Sequence, residues 1–309
     1  MFRHNFRHQV VTGTFSFPLM ALITGIFWII PGLGDSNLWL GLLCCAVTTF
    51  LLTELSNRHS LLRIRSRMVS ITYLMLMLIC PVLHSGAAHL VPALCLVLCY
   101  FMLYSSYQQL RPAGHIYHAF LFAGIGSLFY APMLLLAIGF YVSILFQLRN
   151  MSWSSLAAGL LGFITPYWIL AAYAIWHDKP GVFVADVIDW FRLPIGDFTQ
   201  MSQPQYLSTG VLIFLALLAF IHYFRTAYND KIRTRMHYYI VATQELIIWA
   251  SFILFPVYYE EQLTLLILNS SLLLAHYYAL AKGRFFHYWF NFNVALLAAL
   301  GIYNYLMLP

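Results

Sequence analysis

Few polar side chains lie within the long apolar stretches of this sequence, and those few are its candidates for chemistry. Glu245 lies in VATQELIIWA, where a carboxyl can bind and release a proton. His276 lies in LLLAHYYAL, and an imidazole exchanges protons near neutral pH. Asn291 and Asn293 follow in the next apolar stretch, and their amides can bind a carboxyl or a headgroup. We predict that these four side chains meet as one protonatable or headgroup-binding site, the alternative being a structural hydrogen-bond cluster.

A second candidate site lies in the polar segment at residues 177–206. Its apolar and charged residues alternate in a pattern typical of an amphipathic helix that lies in a membrane interface. Asp189, Trp190, Phe191 and Arg192 are the residues of this segment that we expect to contact a lipid or substrate. The alternative is a structural lid that only covers the ends of other helices.

Asp35 is the third candidate, because it is the only charged residue in the short segment PGLGDSN. A carboxylate in such a segment can act as a base or hold a metal, although an acid beside glycines is also an ordinary turn residue. His115 and His118 share a helix face but have no third ligand nearby in the sequence. We therefore predict a catalytic role for Asp35, no metal site and no cofactor.

The apolar composition of the chain indicates that the helices carrying these candidate residues lie in a lipid membrane. Apolar residues make up 62% of the 309 residues and charged residues only 8%, whereas soluble domains are about half apolar and a quarter charged. A membrane-spanning helix needs roughly 20 mostly apolar residues. We predict a single integral membrane domain over residues 1–309, an all-α bundle. Its eleven helices are expected near residues 15–33, 38–55, 68–83, 88–104, 116–129, 132–148, 154–176, 206–224, 237–257, 263–281 and 287–306.

The stretch at residues 116–148 is too long for one helix and short for two. Gly124, Gly126 and Pro132 interrupt it, and Tyr130-Ala-Pro132 is typical of a tight turn. The sequence favours two short crossings here and leaves a re-entrant element as the alternative.

Basic residues indicate how the bundle is oriented. With the N-terminus in the cytoplasm, all but two of the sixteen Lys and Arg residues fall in inside segments, as the positive-inside rule requires. The inside set is Arg3, Arg7, Arg58, Arg63, Arg65, Arg67, Arg111, Arg149, Arg225, Lys231, Arg233, Arg235, Lys282 and Arg284. Lys179 and Arg192 remain outside, and an odd number of spans places the C-terminus outside too. Because these cations face lipid headgroups, we expect no nucleic-acid partner.

The stretch Phe120–Leu170, FLFAGIGSLFYAPMLLLAIGFYVSILFQLRNMSWSSLAAGLLGFITPYWIL, resembles an uncharacterised family of multi-pass bacterial inner-membrane proteins. The resemblance extends from Glu54-Leu-Ser-Asn57 through Thr165-Pro166-Tyr167. The same stretch is similar in architecture to GT-C glycosyltransferases, in which a short helix, a turn, a helix with a basic end and a proline-containing helix follow one another. That resemblance implies a catalytic acid at Asp35, although the first external loop is much shorter here.

The leading hypothesis is therefore a multi-pass protein of the bacterial inner membrane that serves cell-envelope biogenesis. It would act on a lipid-linked substrate as a GT-C-like glycosyltransferase. Its expected partners are membrane lipids, a polyprenyl-phosphate-linked substrate and other membrane proteins. A proton-coupled transporter or lipid flippase, with Glu245 as the proton carrier and His276 tuning it, is the second hypothesis. The third is a non-catalytic assembly subunit.

Overall fold

The computed structural model describes residues 6–29, 36–64, 66–84, 86–178, 180–190, 201–281, 283 and 285–307. In these ranges the chain forms thirteen α-helices and no strand. The helices are α1 (Phe6–Thr12), α2 (Ser16–Ile29), α3 (Ser36–Arg58), α4 (Met68–Leu78), α5 (Val91–Ser105), α6 (Ala113–Phe129), α7 (Met133–Ser143), α8 (Trp153–Trp176), α9 (Pro180–Trp190), α10 (Gln203–Thr226), α11 (Ile232–Leu254), α12 (Tyr259–Leu280) and α13 (Phe285–Leu306).

Each of the eleven expected helices corresponds to one of these elements, with α1 and α9 in addition. The turn expected at Tyr130-Ala-Pro132 separates α6 from α7, and α7 continues as a π-helical turn over Ile144–Leu148. Two boundaries differ most: α4 ends at Leu78 instead of residue 83, and α11 begins at Ile232 instead of residue 237. The early start of α11 is the more informative difference. Its basic first turn is helical although it has no apolar periodicity to indicate a helix.

Six of the described helices are long and apolar enough to cross a membrane: α3, α8, α10, α12, α13, and α5 together with the 3-10 turn Ala88–Leu90 that precedes it. The number becomes seven if α1 and α2, which meet at 89°, count as one span. α4, α6 and α7 are apolar but shorter, and α11 has 23 residues but several polar side chains. The chain is thus built as a membrane protein. The expected eleven crossings and their orientation stay predictions.

Helix α12 lies at the centre of the bundle. It packs against α4, α5, α10 and α11, and 94% of its apolar window is buried inside the protein. Helix α8 lies at the periphery, with 17% of its window buried. Because α12 is surrounded by protein, polar side chains on any of its faces must find partners on neighbouring helices. This requirement creates the site described below.

Glycines allow α6 and α8 to approach each other closely. A Cβ added at Gly162 would lie 2.3 Å from the carbonyl oxygen of Tyr117, and one at Gly124 would lie 2.4 Å from that of Phe163. Both obstacles are backbone atoms, so the helices themselves would have to separate. Small residues at helix contacts commonly play this part in membrane proteins.

We expect Gly162→Ala to lower the free energy of unfolding by about 1–3 kcal/mol, since overpacking forces a backbone shift. Gly210→Ala on α10 is the matched control, because a Cβ there meets no atom within 4 Å. That control should stabilise the helix by about 0.5–1 kcal/mol. Equilibrium unfolding in detergent micelles measures both variants, and equal effects would contradict this account of the α6–α8 contact.

One end of the bundle brings together segments that the sequence places on the same side. The Arg7 guanidinium donates to the carbonyl oxygens of Tyr278, at 2.8 Å, and Ala281, at 2.6 Å. Ser66 donates to the carbonyl oxygen of Val11 at 2.5 Å. We call this end, which also contains the α3–α4 and α10–α11 connections, the basic end. Its orientation towards the cytoplasm stays a prediction.

Candidate functional site

Glu245 lies fully buried near the middle of α11, about 14–20 Å from either helix end at 1.5 Å per residue. Its carboxyl accepts hydrogen bonds from the side-chain amide of Asn269 and from the hydroxyl of Ser270, the latter at 2.7 Å. Both partners lie near the middle of α12, which packs directly on α11. The site therefore sits deep in the bundle.

A second layer of hydrogen bonds fixes the Asn269 amide. The Tyr100 hydroxyl on α5 donates to the amide oxygen, so the NH2 group of Asn269 must face the other way. That NH2 group donates to Glu245 and also, at 3.0 Å, to the carbonyl oxygen of Val241. Contacts from α5, α11 and α12 thus hold the NH2 group of Asn269 against the Glu245 carboxyl in a single orientation.

No ion pair of Glu245 with a basic side chain occurs in the parts of the chain that the structure describes. An ionised carboxylate without a cation is costly in so dry a setting, and such groups usually exchange their charge for a proton. The Ser270 hydroxyl suits either form, since it can donate to a carboxylate or rotate to accept from a carboxylic acid. The site can therefore hold Glu245 in both protonation states.

A second polar cluster lies at the basic end. Asp230, whose side chain is fully buried, accepts from the Nε of Arg63 at 2.5 Å, and its other oxygen lies 3.0 Å from the Nε2 of His276. Because an ionised carboxylate only accepts, the Nε2 of His276 carries the hydrogen. Burial opposes the charge, but hydrogen bonds from His276 and Arg63 outweigh it and keep the pKa of Asp230 below its ordinary value.

A line of aromatic and imidazole rings joins the basic end to Glu245. Arg233 donates to the Nδ1 of His59 at 3.2 Å, and burial with the nearby Arg233 and Arg58 charges lowers the pKa of His59 to about 4. The His59 ring lies 5.3 Å from that of His237, which stacks on Tyr104 at 4.2 Å. Tyr104 stacks in turn on Tyr100, at 5.7 Å, whose hydroxyl binds Asn269.

The structure does not bring the four predicted intramembrane residues together. Glu245 and His276 have different partners, and His276 lies two helical turns, about 10 Å, beyond Asn269. Asn291 is exposed, while Asn293 is buried with no hydrogen-bond partner among the described residues. The expectation assumed that α13 packs on α11 and α12 as their neighbour in sequence. The backbone of α13 instead lies closest to α1, α4 and α10, and α13 meets the end of α12 through ring contacts such as that of Phe290 with Tyr278.

The external candidates are described only in part. Asp35, Phe191 and Arg192 lie outside the described residues. The expected helix in the 177–206 segment is present as α9, which includes Asp189 and Trp190 in its last turn. Helix α9 packs on α8, and residues of both helices line an apolar groove. The roles of these four side chains and of Asp35 stay predictions.

Four residues at these two sites were not predicted from the sequence: Tyr100, Asn269, Ser270 and Asp230. Asn269 and Ser270 belong to the run LLILNSSLLLA, in which three adjacent polar residues interrupt an apolar helix. Asp230 is an acid within the basic segment YNDKIRTR. Both patterns were visible signals. Nothing about Tyr100 distinguishes it from the many tyrosines near predicted helix ends.

No protein family, curated protein or solved structure matches this chain. The resemblances to an inner-membrane family and to GT-C architecture therefore stay predictions. The all-helical fold, its apolar spans and the geometry of the buried polar sites are the observations on which a functional proposal can rest.

Proposed function

We propose that this protein is a proton-coupled membrane carrier in which Glu245 binds and releases the coupling proton. The observation that carries the proposal is a buried carboxyl near mid-helix, hydrogen-bonded by Asn269 and Ser270 and free of any ion pair with the described residues. A fixed salt bridge would lock the charge state, whereas this arrangement accommodates both states. Ionisable groups within membrane helices commonly mark proton or substrate pathways.

The proton reaches Glu245 from the basic end in this proposal. The ring nitrogens of His237 are buried and have no hydrogen-bond partner among the described residues, so this imidazole is available for a proton relay once water enters from the basic end. His237 stacks on Tyr104, which stacks on Tyr100 beside the site. A rearrangement that turns the Tyr100 hydroxyl from Asn269 towards Glu245 would connect the rings to the carboxyl through a group that can both accept and donate a proton.

The finer localisation is part of the same proposal. The positive-inside distribution supports a cytoplasmic basic end, and we propose the inner membrane of a bacterium as the location. Envelope biogenesis with a lipid-linked substrate remains compatible with a carrier, because a flippase moves such a substrate. The glycosyltransferase hypothesis depends on Asp35, and a scaffold would need no protonation of Glu245.

Infrared difference spectroscopy on protein reconstituted in lipid tests proton binding directly. We expect lowering the pH to produce a carboxylic acid band that the Glu245→Gln variant lacks, because Gln cannot take up the proton. Glu54→Gln is the matched control, since Glu54 is an exposed acid at the basic end of α3. Identical spectra for wild type and Glu245→Gln would rule out Glu245 as the proton-binding group.

A further inference from the structure

A polar pocket of about 700 Å³ opens at the basic end, between the α3–α4 connection and the start of α11. This volume is within the usual range for a small-molecule site. Ten residues line the pocket, among them Arg63 and Lys231. Two of these residues are cationic, six carry a hydroxyl or amide, and none is acidic. The lining therefore favours an anion.

Asp230, the acid beside the pocket in the described part of the chain, is already neutralised. Both oxygens of Asp230 are engaged, one by Arg63 and the other by His276, and the side chain is fully buried. Arg63 uses its Nε for this contact, while its side chain stays 36% exposed. The two terminal nitrogens of the guanidinium are thus free of Asp230, and their donors can serve an anion in the pocket.

The remaining lining groups supply further donors at different depths. Ser56 and Thr234 are buried and form the floor, where the Thr234 hydroxyl already donates to the carbonyl oxygen of Ser60. Asn57, Asn229 and Lys231 are exposed and form the rim. A guanidinium, an ammonium, hydroxyls and amide NH2 groups around one cavity match the several oxygens of a phosphate. A cation would meet only hydroxyl and amide oxygens, together with repulsion from Lys231, because Asp230 balances the charge of Arg63.

We propose that this pocket binds a phosphate group, carried by an anionic lipid headgroup or by a small soluble phosphate. The ion pair with Asp230 holds the Arg63 guanidinium in place as the inner cation of the pocket, and the Lys231 ammonium lies at its rim. This inference goes beyond the proposed carrier function, because the site would bind phosphate whether or not Glu245 couples a proton. Its test measures binding to the full chain and involves no transport. A negative result would therefore reject the phosphate site without bearing on proton coupling at Glu245.

Binding to purified protein in neutral detergent micelles is measured with two probes, short-chain phosphatidylglycerol and inorganic pyrophosphate. Short-chain phosphatidylcholine serves as the zwitterionic reference. We expect saturable binding of at least one anionic probe, weakened about tenfold or more by Lys231→Glu, because a cation that contacts the phosphate becomes an anion. Lys231 is exposed and no structural contact of its side chain is expected to be lost. Arg63→Gln should also weaken binding.

Arg111→Glu is the matched control, since Arg111 is exposed, does not line the pocket and gives the same change in net charge. It should leave the affinity within about twofold, because a distant exposed charge is screened by salt. Binding of phosphatidylglycerol alone identifies a lipid headgroup, and binding of pyrophosphate identifies a soluble phosphate. Saturable binding of neither probe, or equal weakening by Lys231→Glu and Arg111→Glu, would overturn the proposal.

Discussion

Glu245→Gln should abolish the pH-dependent part of lipid transport by the reconstituted protein while leaving the fold intact. Glutamine has nearly the same shape as glutamate and keeps an oxygen for Ser270 or Asn269, but it cannot gain or lose a proton. The coupling of transport to a proton gradient therefore disappears. We expect the ratio of rates with and without the gradient to fall to about one, because the variant has no proton to couple.

The measurement uses proteoliposomes containing fluorescently labelled phosphatidylglycerol, with a membrane-impermeant quencher outside and an imposed pH gradient. Labelled phosphatidylcholine shows whether the anionic headgroup matters. Glu54→Gln removes one exposed acid and should behave like wild type. Transport by Glu245→Gln that responds to the gradient as wild type does would refute the coupling role. A wild-type protein that moves neither lipid would contradict a phospholipid carrier.

Asp230→Asn should produce the largest loss of stability among the polar substitutions. Asp230 is fully buried and joins Arg63 of the α3–α4 connection to His276 of α12, so three parts of the bundle depend on one carboxylate. Removing one partner of a buried ion pair costs about 3–5 kcal/mol. Because Arg63 is partly exposed and reaches water when released, we expect a smaller loss in the free energy of unfolding, about 2–3 kcal/mol.

The pH dependence of this loss follows from the lowered pKa of Asp230. A carboxyl whose pKa is lower in the folded than in the unfolded protein adds stability that is complete above its unfolded value, about 4. That stability is lost as the pH falls through the folded-state pKa. The difference between wild type and Asp230→Asn should therefore be constant near neutral pH and shrink below pH about 4.

Equilibrium unfolding in micelles across this pH range measures the difference. Asp178→Asn is the matched control, because Asp178 is exposed and its left-handed backbone, with φ of 53°, accepts either residue. We expect that control to change stability by less than about 0.5 kcal/mol, as for most surface substitutions. A difference for Asp230→Asn that stays constant down to the lowest pH would contradict the ion-pair explanation.

The sequence by itself determined the class of fold and most helix positions. Lipid offers no hydrogen-bond partners to backbone N–H and C=O groups. Apolar stretches long enough to cross the membrane must therefore be helical, because a helix satisfies these groups internally. Breaks at Tyr130-Ala-Pro132 and the extra helix in the 177–206 segment were predictable from turn residues and amphipathic pattern. Glu245 was also identifiable, because a deeply placed acid stands out in an apolar stretch.

Only the tertiary structure decided which side chains Glu245 and His276 meet. Hydrogen bonds join Glu245 to Asn269 and Ser270 and join His276 to Asp230, which is 46 residues away in sequence. These contacts depend on how each helix is rotated about its axis and on which helices are neighbours. In a membrane protein, the pattern of apolar residues hardly predicts how a helix is rotated or which helices are its neighbours. The reason is that protein-facing and lipid-facing surfaces are both apolar. The packing of α12 against four helices supplies the information that its sequence lacks.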